Sequence, residues 1–449
     1  MTEPDNEDEL NPLFGEESLP RDHLERRAIF ATLESFYQYR KHEHFNTTHR
    51  KRQNLYALPS SEWKMLAEPP FSILDTLSAV DDAIDDNADL ADEILLQGLS
   101  SFGLNQNPPK NSALDWKGSA KPGDIAKAYS TIRQFYRDWS TEGFKSEVEP
   151  LLRIVLSDLE AYLASQEPRK GNSAGPSILL PGAGLGRILF ELCMKGYCTT
   201  GNEISYHQLI ASNFILNCTQ RSHQFPIYPF ATNFTNVISR SNQLKRVTIP
   251  DVHPATAMSQ CSNPGEMNMT AGDFVLSYSN VESRETFDAV VSVFFIDTAP
   301  NLIRYIETVW NCLKKGGYWI NIGPLLWHFD SRVHGKDDDD KDDDKQDPDP
   351  AEHPHTHPHS HSTQHQHHTP DSSSFQSQAQ DKGIGNPGSF ELSDDEVLHL
   401  VTKLGFEIQR HEIIDHAPGS NESFGYMQDP NSLLQNRYRC SHWVAKKGG

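Results

Sequence analysis

The chain has 449 residues, with 40 basic and 62 acidic side chains and a formal net charge of −22. Hydrophobic residues make up 36% and aromatic residues 10%, enough for a real core but lean for one compact body of this length. The charge is concentrated: residues 1–20 carry seven acids and no base, and residues 333–389 carry twelve acids against four bases, leaving about −7 for the other 372. A near-neutral body with two acidic attachments lacks the basic surface of a nucleic-acid groove. The longest apolar runs, such as VVSVFFI, stop far short of the ~20 residues of a membrane span, and the opening MTEPDNEDEL has no leader-like apolar stretch. Cys193, Cys198, Cys218, Cys261, Cys312 and Cys440 form no CxxC pair and no regular framework, which predicts scattered thiols in a reducing, intracellular compartment.

Residues 1–20 read as an acidic disordered tail, and residues 21–168 as a helical region. RRAIFATLESFYQYRKHEHF places Ile29, Leu33, Phe36 and Tyr37 on one helix face. AKAYSTIRQFYRDWSTEGF does the same with Ile132, Phe135, Tyr136 and Trp139, and SEVEPLLRIVLSDLEAYLAS is a third helix. The linker QEPRKGNSAGP, rich in Gly, Pro and Ser, marks a boundary.

From Ser177 short apolar runs alternate with helical stretches. SILL, a glycine turn and RILFELCMKG read as strand, turn and helix, with YCTTGNE, FDAVVSVFF, YWINIG, FEIQRHEII and RYRCSHWVAK as further strands. That alternation predicts a parallel, doubly wound sheet spanning 169–332 and resuming at 390–449. Between 333 and 389 the pattern stops: KDDDDKDDDKQDPDP runs into HPHTHPHSHSTQHQHH without apolar periodicity, which predicts a disordered insertion. His353, His355, His357, His359 and His361 alternate with other residues, but a low-complexity tract supplies no second shell, so no metal is expected.

The strongest local signal is Ile178-Leu179-Leu180-Pro181-Gly182-Ala183-Gly184-Leu185-Gly186-Arg187. A strand ends, glycines let the backbone turn, and a helix starts with its amides facing a ligand. Glu203, 21 residues after Gly182, falls at the end of the next strand, where an acid can accept from both ribose hydroxyls. Dinucleotide enzymes share this logic, and a purely structural turn is the bland alternative. The G-x-G-x-G spacing, however, lacks the third glycine of G-x-G-x-x-G, which favours a cofactor with a ribose and no pyrophosphate, S-adenosylmethionine. In Met269-Thr270-Ala271-Gly272-Asp273-Phe274, Asp273 can bind an adenine amine and Phe274 can pack beside it. Asp297, in FDAVVSVFFIDTA, would project from a strand's carboxyl end toward a substrate.

Taken in order, PGAGLGR, GNE, TAGDF, FFIDTA and GPLLWHF, with QFYRDWS upstream, resemble the carnosine N-methyltransferases over residues 21–332 and 390–447. The resemblance implies an α/β fold, a Rossmann-like class I methyltransferase sheet with an N-terminal helical region. It implies S-adenosylmethionine as cofactor and a small peptide, carnosine or a related His-containing dipeptide, as substrate, methylated on its imidazole to give anserine. The alternatives are a histidine in another peptide or protein and, more remotely, a non-catalytic interaction protein. Position by position it assigns Gln134, Arg137, Gly182, Gly184, Glu203, Asp273, Phe274 and Ala289 to the cofactor, with Arg137 suited to the methionine carboxylate. Asp297, His328, Tyr426 and Tyr438 are assigned to the substrate, the two tyrosines in drifted surroundings. Asp297 would accept the imidazole N–H, fixing the tautomer and stabilising the charge that develops, with His328 orienting the ring. The remaining expectations are a cytoplasmic and nuclear location, a homodimer, and neither a membrane nor a nucleic-acid partner.

Overall fold

The computed structural model describes residues 19–20, 22–163, 175–327, 382–386, 388–415, 425–427 and 429–448. The His-rich tract, His328 and most of the acidic tail lie outside them. The helical region begins with α1 (His23–Glu43), whose N-cap Asp22 accepts from the Leu24 amide, followed by α2 (Ile73–Ser101). Ile29, Leu33 and Phe36 are buried as their spacing predicts, but Tyr37 is 45% exposed and Tyr39 takes the inward position. The long α2 turns Leu77, Val80, Ile84, Ala91, Ile94 and Leu99 inward at helical spacing and its aspartates outward. Next come α3 (Pro122–Trp139) and α4 (Glu149–Leu163); Ile132, Phe135, Tyr136 and Trp139 of α3 are all buried.

The sheet starts at β1 (Ser177–Pro181), then α5 (Arg187–Met194), β2 (Cys198–Glu203) and α6 (Tyr206–Asn217). A small antiparallel pair, β3 (Phe225–Ile227) and β4 (Val247–Ile249), stands apart from it. The main sheet resumes with β5 (Met267–Ala271), β6 (Phe287–Val293), α7 (Leu302–Cys312) and β7 (Leu313–Gly323), and ends with α8 (Asp394–Lys403), β8 (Phe406–Ile414) and β9 (Cys440–Lys447). Strand order is β5-β2-β1-β6-β7-β9-β8. The first five strands are parallel, as the alternating pattern predicts. The last two correct that expectation: β9 pairs antiparallel with both β7 and β8. No helix separates β8 from β9 among the described residues, and a return without a crossover produces an antiparallel neighbour.

Period-two burial fixes the layers. Ile178, Leu180, Ala289, Val291, Ile320 and Ile322 face Leu151, Val155 and Leu159 of α4. Leu179, Val290, Trp319 and Trp443 face Ile306 and Val309 of α7 and Val397 and Val401 of α8. A third cluster joins the helical region to α5 and α6 through Leu33, Phe36, Phe135, Trp139, Phe190 and Phe214. The helical region is thereby held against the start of the sheet, over the carboxyl end of β1.

The insertion expected over 333–389 is not featureless at its far end. Gly383–Gly385 form a 3-10 turn, with Gly383 packed against the Asp273 carboxylate.

Candidate functional site

The parallel sheet is wound outward in opposite directions from the neighbours β1 and β6, one way to β2 and β5 and the other to β7, so a crevice opens at their carboxyl ends. It holds a cavity of about 330 Å3, within the ~300–1,000 Å3 range of small-molecule sites. Gln134, Arg137, Gly182, Gly184, Glu203, Phe274 and Tyr426 all line it.

The glycine turn forms the floor. Gly182 and Gly184 have φ of 68° and 55°, left-handed values that side chains rarely adopt. A Cβ at Gly182 would come within 2.7 Å of the Phe295 ring, and one at Gly184 within 3.2 Å of Gln134 Nε2. The turn is therefore closely covered, and its backbone is what a ligand would meet. Glu203 accepts from the Gly184 amide at 3.0 Å and from the Ile204 and Ser205 amides at 2.9 Å each. Burial raises its carboxyl above the ordinary glutamate value, while those three amides pull the other way.

The opposite wall comes from α3. Trp139 Nε1 donates to the Leu185 carbonyl at 3.1 Å and ties the helix end to the turn. Gln134 accepts from Gln208 at 2.9 Å and donates to Asp138 at 3.2 Å. Burial opposes the charge of Arg137, but Asp138, Tyr426 and Glu147 hold its pKa above the usual arginine value. Its guanidinium lies 4.6 Å from the Tyr426 ring centroid. Residues around Tyr426 are held to the helical region: Arg133 donates to the Met427 carbonyl at 2.8 Å and the Met427 amide donates to Glu147 at 2.6 Å.

Phe294 divides the crevice. It has φ of +54°, a costly conformation for a bulky residue, in a position where Gly323 leaves room for its backbone. Its ring stacks on Tyr426 with centroids 5.4 Å apart and meets Tyr438 edge-on at 6.2 Å. Asp297 follows within a 3-10 turn, buried, its Oδ2 accepting from the Leu326 amide at 3.0 Å. Burial and then the Asp297 charge push the Tyr438 hydroxyl up, keeping it protonated. Tyr438 meets the Phe294 ring and Asp297 follows Phe294 in the chain, and neither lines the cavity.

Two assigned cofactor residues sit elsewhere. Asp273 caps the short helix Phe274–Tyr278, accepting from the Leu276 amide at 3.0 Å, and is not on the cavity wall. Ala289 lies within β6, fully buried in the core between Ile178 and Tyr318 of the neighbouring strands. Val291 and Val293, on the same face of β6 but nearer its carboxyl end, reach the cavity, and Ala289 lies too far down the strand. Sequence reasoning missed Asp138 and the aromatic wall of Phe295 and Tyr305, stacked at 5.2 Å and each about 5.5 Å from Phe274. Asp138 stood in plain view beside Arg137; the aromatics belong to separate elements and had no shared signal.

A sheet of this order, with a glycine turn after the first strand and a buried acid ending the second, has the Rossmann-like methyltransferase architecture. The chain belongs to the carnosine N-methyltransferase family, whose model matches residues 115–448. It is 30% identical over 429 residues to a carnosine N-methyltransferase of Schizosaccharomyces pombe, covering 95% of this chain and 97% of that one. To the carnosine N-methyltransferase of Rattus norvegicus it is 35% identical over 316 residues, 69% of this chain and 72% of the relative. Among solved structures, a SAM-dependent methyltransferase from Methanosarcina mazei aligns with 62% of this chain and 94% of its own, at 16% identity and a TM-score of 0.30.

Proposed function

We propose that this protein transfers the methyl group of S-adenosylmethionine to an imidazole nitrogen of carnosine, giving anserine. The observation that carries the reading is the meeting of a glycine turn, a buried acid and a buried guanidinium around one cavity, in a chain of this family. The residues fit the cofactor's chemistry. Glu203 retains acceptor capacity for ribose hydroxyls, Arg137 suits a carboxylate, and Phe274, Phe295 and Tyr305 offer flat apolar surface for adenine.

S-adenosylmethionine supplies a methyl group already activated by its sulfonium, so the protein's task is alignment and electrostatics. Phe294 and the two tyrosines form the wall that would orient the imidazole ring. Asp297 accepts the ring's N–H, fixes the tautomer and leaves the opposite nitrogen to attack. As the ring becomes an imidazolium, the same carboxylate stabilises it, an interaction that grows toward the transition state. Tyr438, held protonated, would donate to a polar end of the dipeptide. His328 keeps its proposed role in orienting the ring.

The test is mass spectrometry of carnosine, free histidine and histidine peptides after incubation with labelled S-adenosylmethionine. Methylation of carnosine on its ring, at the highest kcat/KM of the set, is the expected result. Transfer to a longer peptide but not to carnosine would overturn the substrate. A homodimer and a cytoplasmic and nuclear location belong to the same proposal, checked by sedimentation and cell fractionation.

A further inference from the structure

The described cavity wall presents two carboxylates, Glu203 from the end of β2 and Asp138 from α3. Glu203 is tied to three backbone amides at the end of β2. Asp138 lies on α3 immediately after Arg137, with Nη1 of that arginine 3.5 Å from its Oδ1. Both side chains are buried, at 7% and 5% exposure of their residues.

A fourth charged residue explains how Asp138 is held without being used up. Arg187 Nη1 donates at 3.0 Å to the backbone carbonyl of Asp138 and not to its carboxylate. The Arg187 guanidinium is itself matched by Asp251, at 2.6 and 3.2 Å, and by Glu191 at 2.9 Å. Gln134 donates to Asp138 Oδ2 at 3.2 Å, a single neutral bond to a group with several acceptor sites. The main chain at 138 is thus fixed to the glycine turn's helix, while the carboxylate retains acceptor capacity at the cavity.

A cation and an anion on successive residues of one wall complement a zwitterion. The methionyl end of the cofactor is one, bearing a carboxylate and an ammonium on a single carbon. We propose that Asp138 binds that α-ammonium group while Arg137 binds the carboxylate beside it. The inference rests on the S-adenosylmethionine reading and adds the residue that recognises the amino group. A carboxylate that merely neutralised Arg137 would have no preference for an amino group on the ligand.

Calorimetry on the full-length protein separates the cases, using S-adenosylhomocysteine and its analogue lacking the α-amino group. The wild type should bind the deaminated analogue about 10- to 100-fold more weakly, the range of a charge-assisted hydrogen bond. Asp138→Asn should weaken S-adenosylhomocysteine by a similar factor and the analogue by about twofold or less, so that discrimination disappears. Asp138→Ser, which also removes the charge, should behave alike. Equal wild-type affinity for both ligands, full discrimination in either variant, or equal loss of both ligands would overturn the assignment. If the wild type binds S-adenosylhomocysteine not at all, the cofactor reading itself falls and takes this inference with it.

Discussion

On the β1–β2 side of the crevice the site is made by backbone: two left-handed glycines and a glutamate holding three amides. On the β6 side it is made by side chains from distant stretches, with Phe294 wedged between Tyr426 and Tyr438. A ligand meeting the first half finds geometry set within some 25 residues. The second half exists only once the chain around 426 has been tied to the helical region by Arg133 and Glu147. The first half is therefore expected to survive changes that abolish the second.

Asp297→Asn gives the sharpest separation. The asparagine oxygen can still accept from the Leu326 amide, so the fold should persist. Turnover on carnosine should fall at least about 100-fold, roughly 2.7 kcal/mol of barrier, with S-adenosylmethionine affinity near wild type. Normal turnover, or a change in cofactor affinity alone, would remove Asp297 from the substrate side.

Glu203→Ala should do the reverse, weakening S-adenosylmethionine by about 10- to 100-fold, or 1.5–3 kcal/mol. It also strips three amides of their acceptor, so melting temperature should fall modestly. Unchanged affinity by calorimetry would separate Glu203 from the cofactor.

Tyr438→Phe keeps the edge contact with Phe294 and removes one hydroxyl. We expect kcat/KM for carnosine to drop by about 3- to 10-fold, the range of one neutral hydrogen bond, with cofactor binding unaltered. A matched loss of cofactor affinity would mean the two halves are not independent.

The smallest effect is expected from deleting residues 336–380, which spares the 3-10 turn at Gly383–Gly385 and its contact with Asp273. Loop-closure entropy varies only logarithmically with length, so stability should move by about 1–2 kcal/mol or less and activity by less than about twofold. Collapse of activity would assign the tract a part in the site.

The same division governs how much the sequence revealed. The β1 turn and Glu203 were legible because strand, glycines and acid are contiguous or one βαβ unit apart. The roles of Phe294 and Asp138 were not, because they depend on partners in other elements: a ring from residue 426, a carbonyl fixed by Arg187. Ala289 shares a strand face with Val291 and Val293 but lies farther from the cavity end of β6, a difference of depth that the apolar run does not display. The parallel sheet was read correctly up to β7, but the pattern of apolar runs does not encode strand direction, and the antiparallel return of β9 left no mark in it. The long α2 had full helical periodicity and was absorbed into a general helical reading rather than recognised as one element.

That return has a consequence for how the protein is made. β9 lies inside the sheet, yet it leaves the ribosome after every other strand described. Until it arrives, β7 and β8 cannot join, and both expose unpaired edges along with Trp319 and Phe406. A nascent chain holding a complete glycine turn is thus still an open sheet. Termination between Ile414 and Cys440 would leave the cofactor half on a sheet whose β7 and β8 edges are unpaired, an aggregation-prone product rather than a weak enzyme.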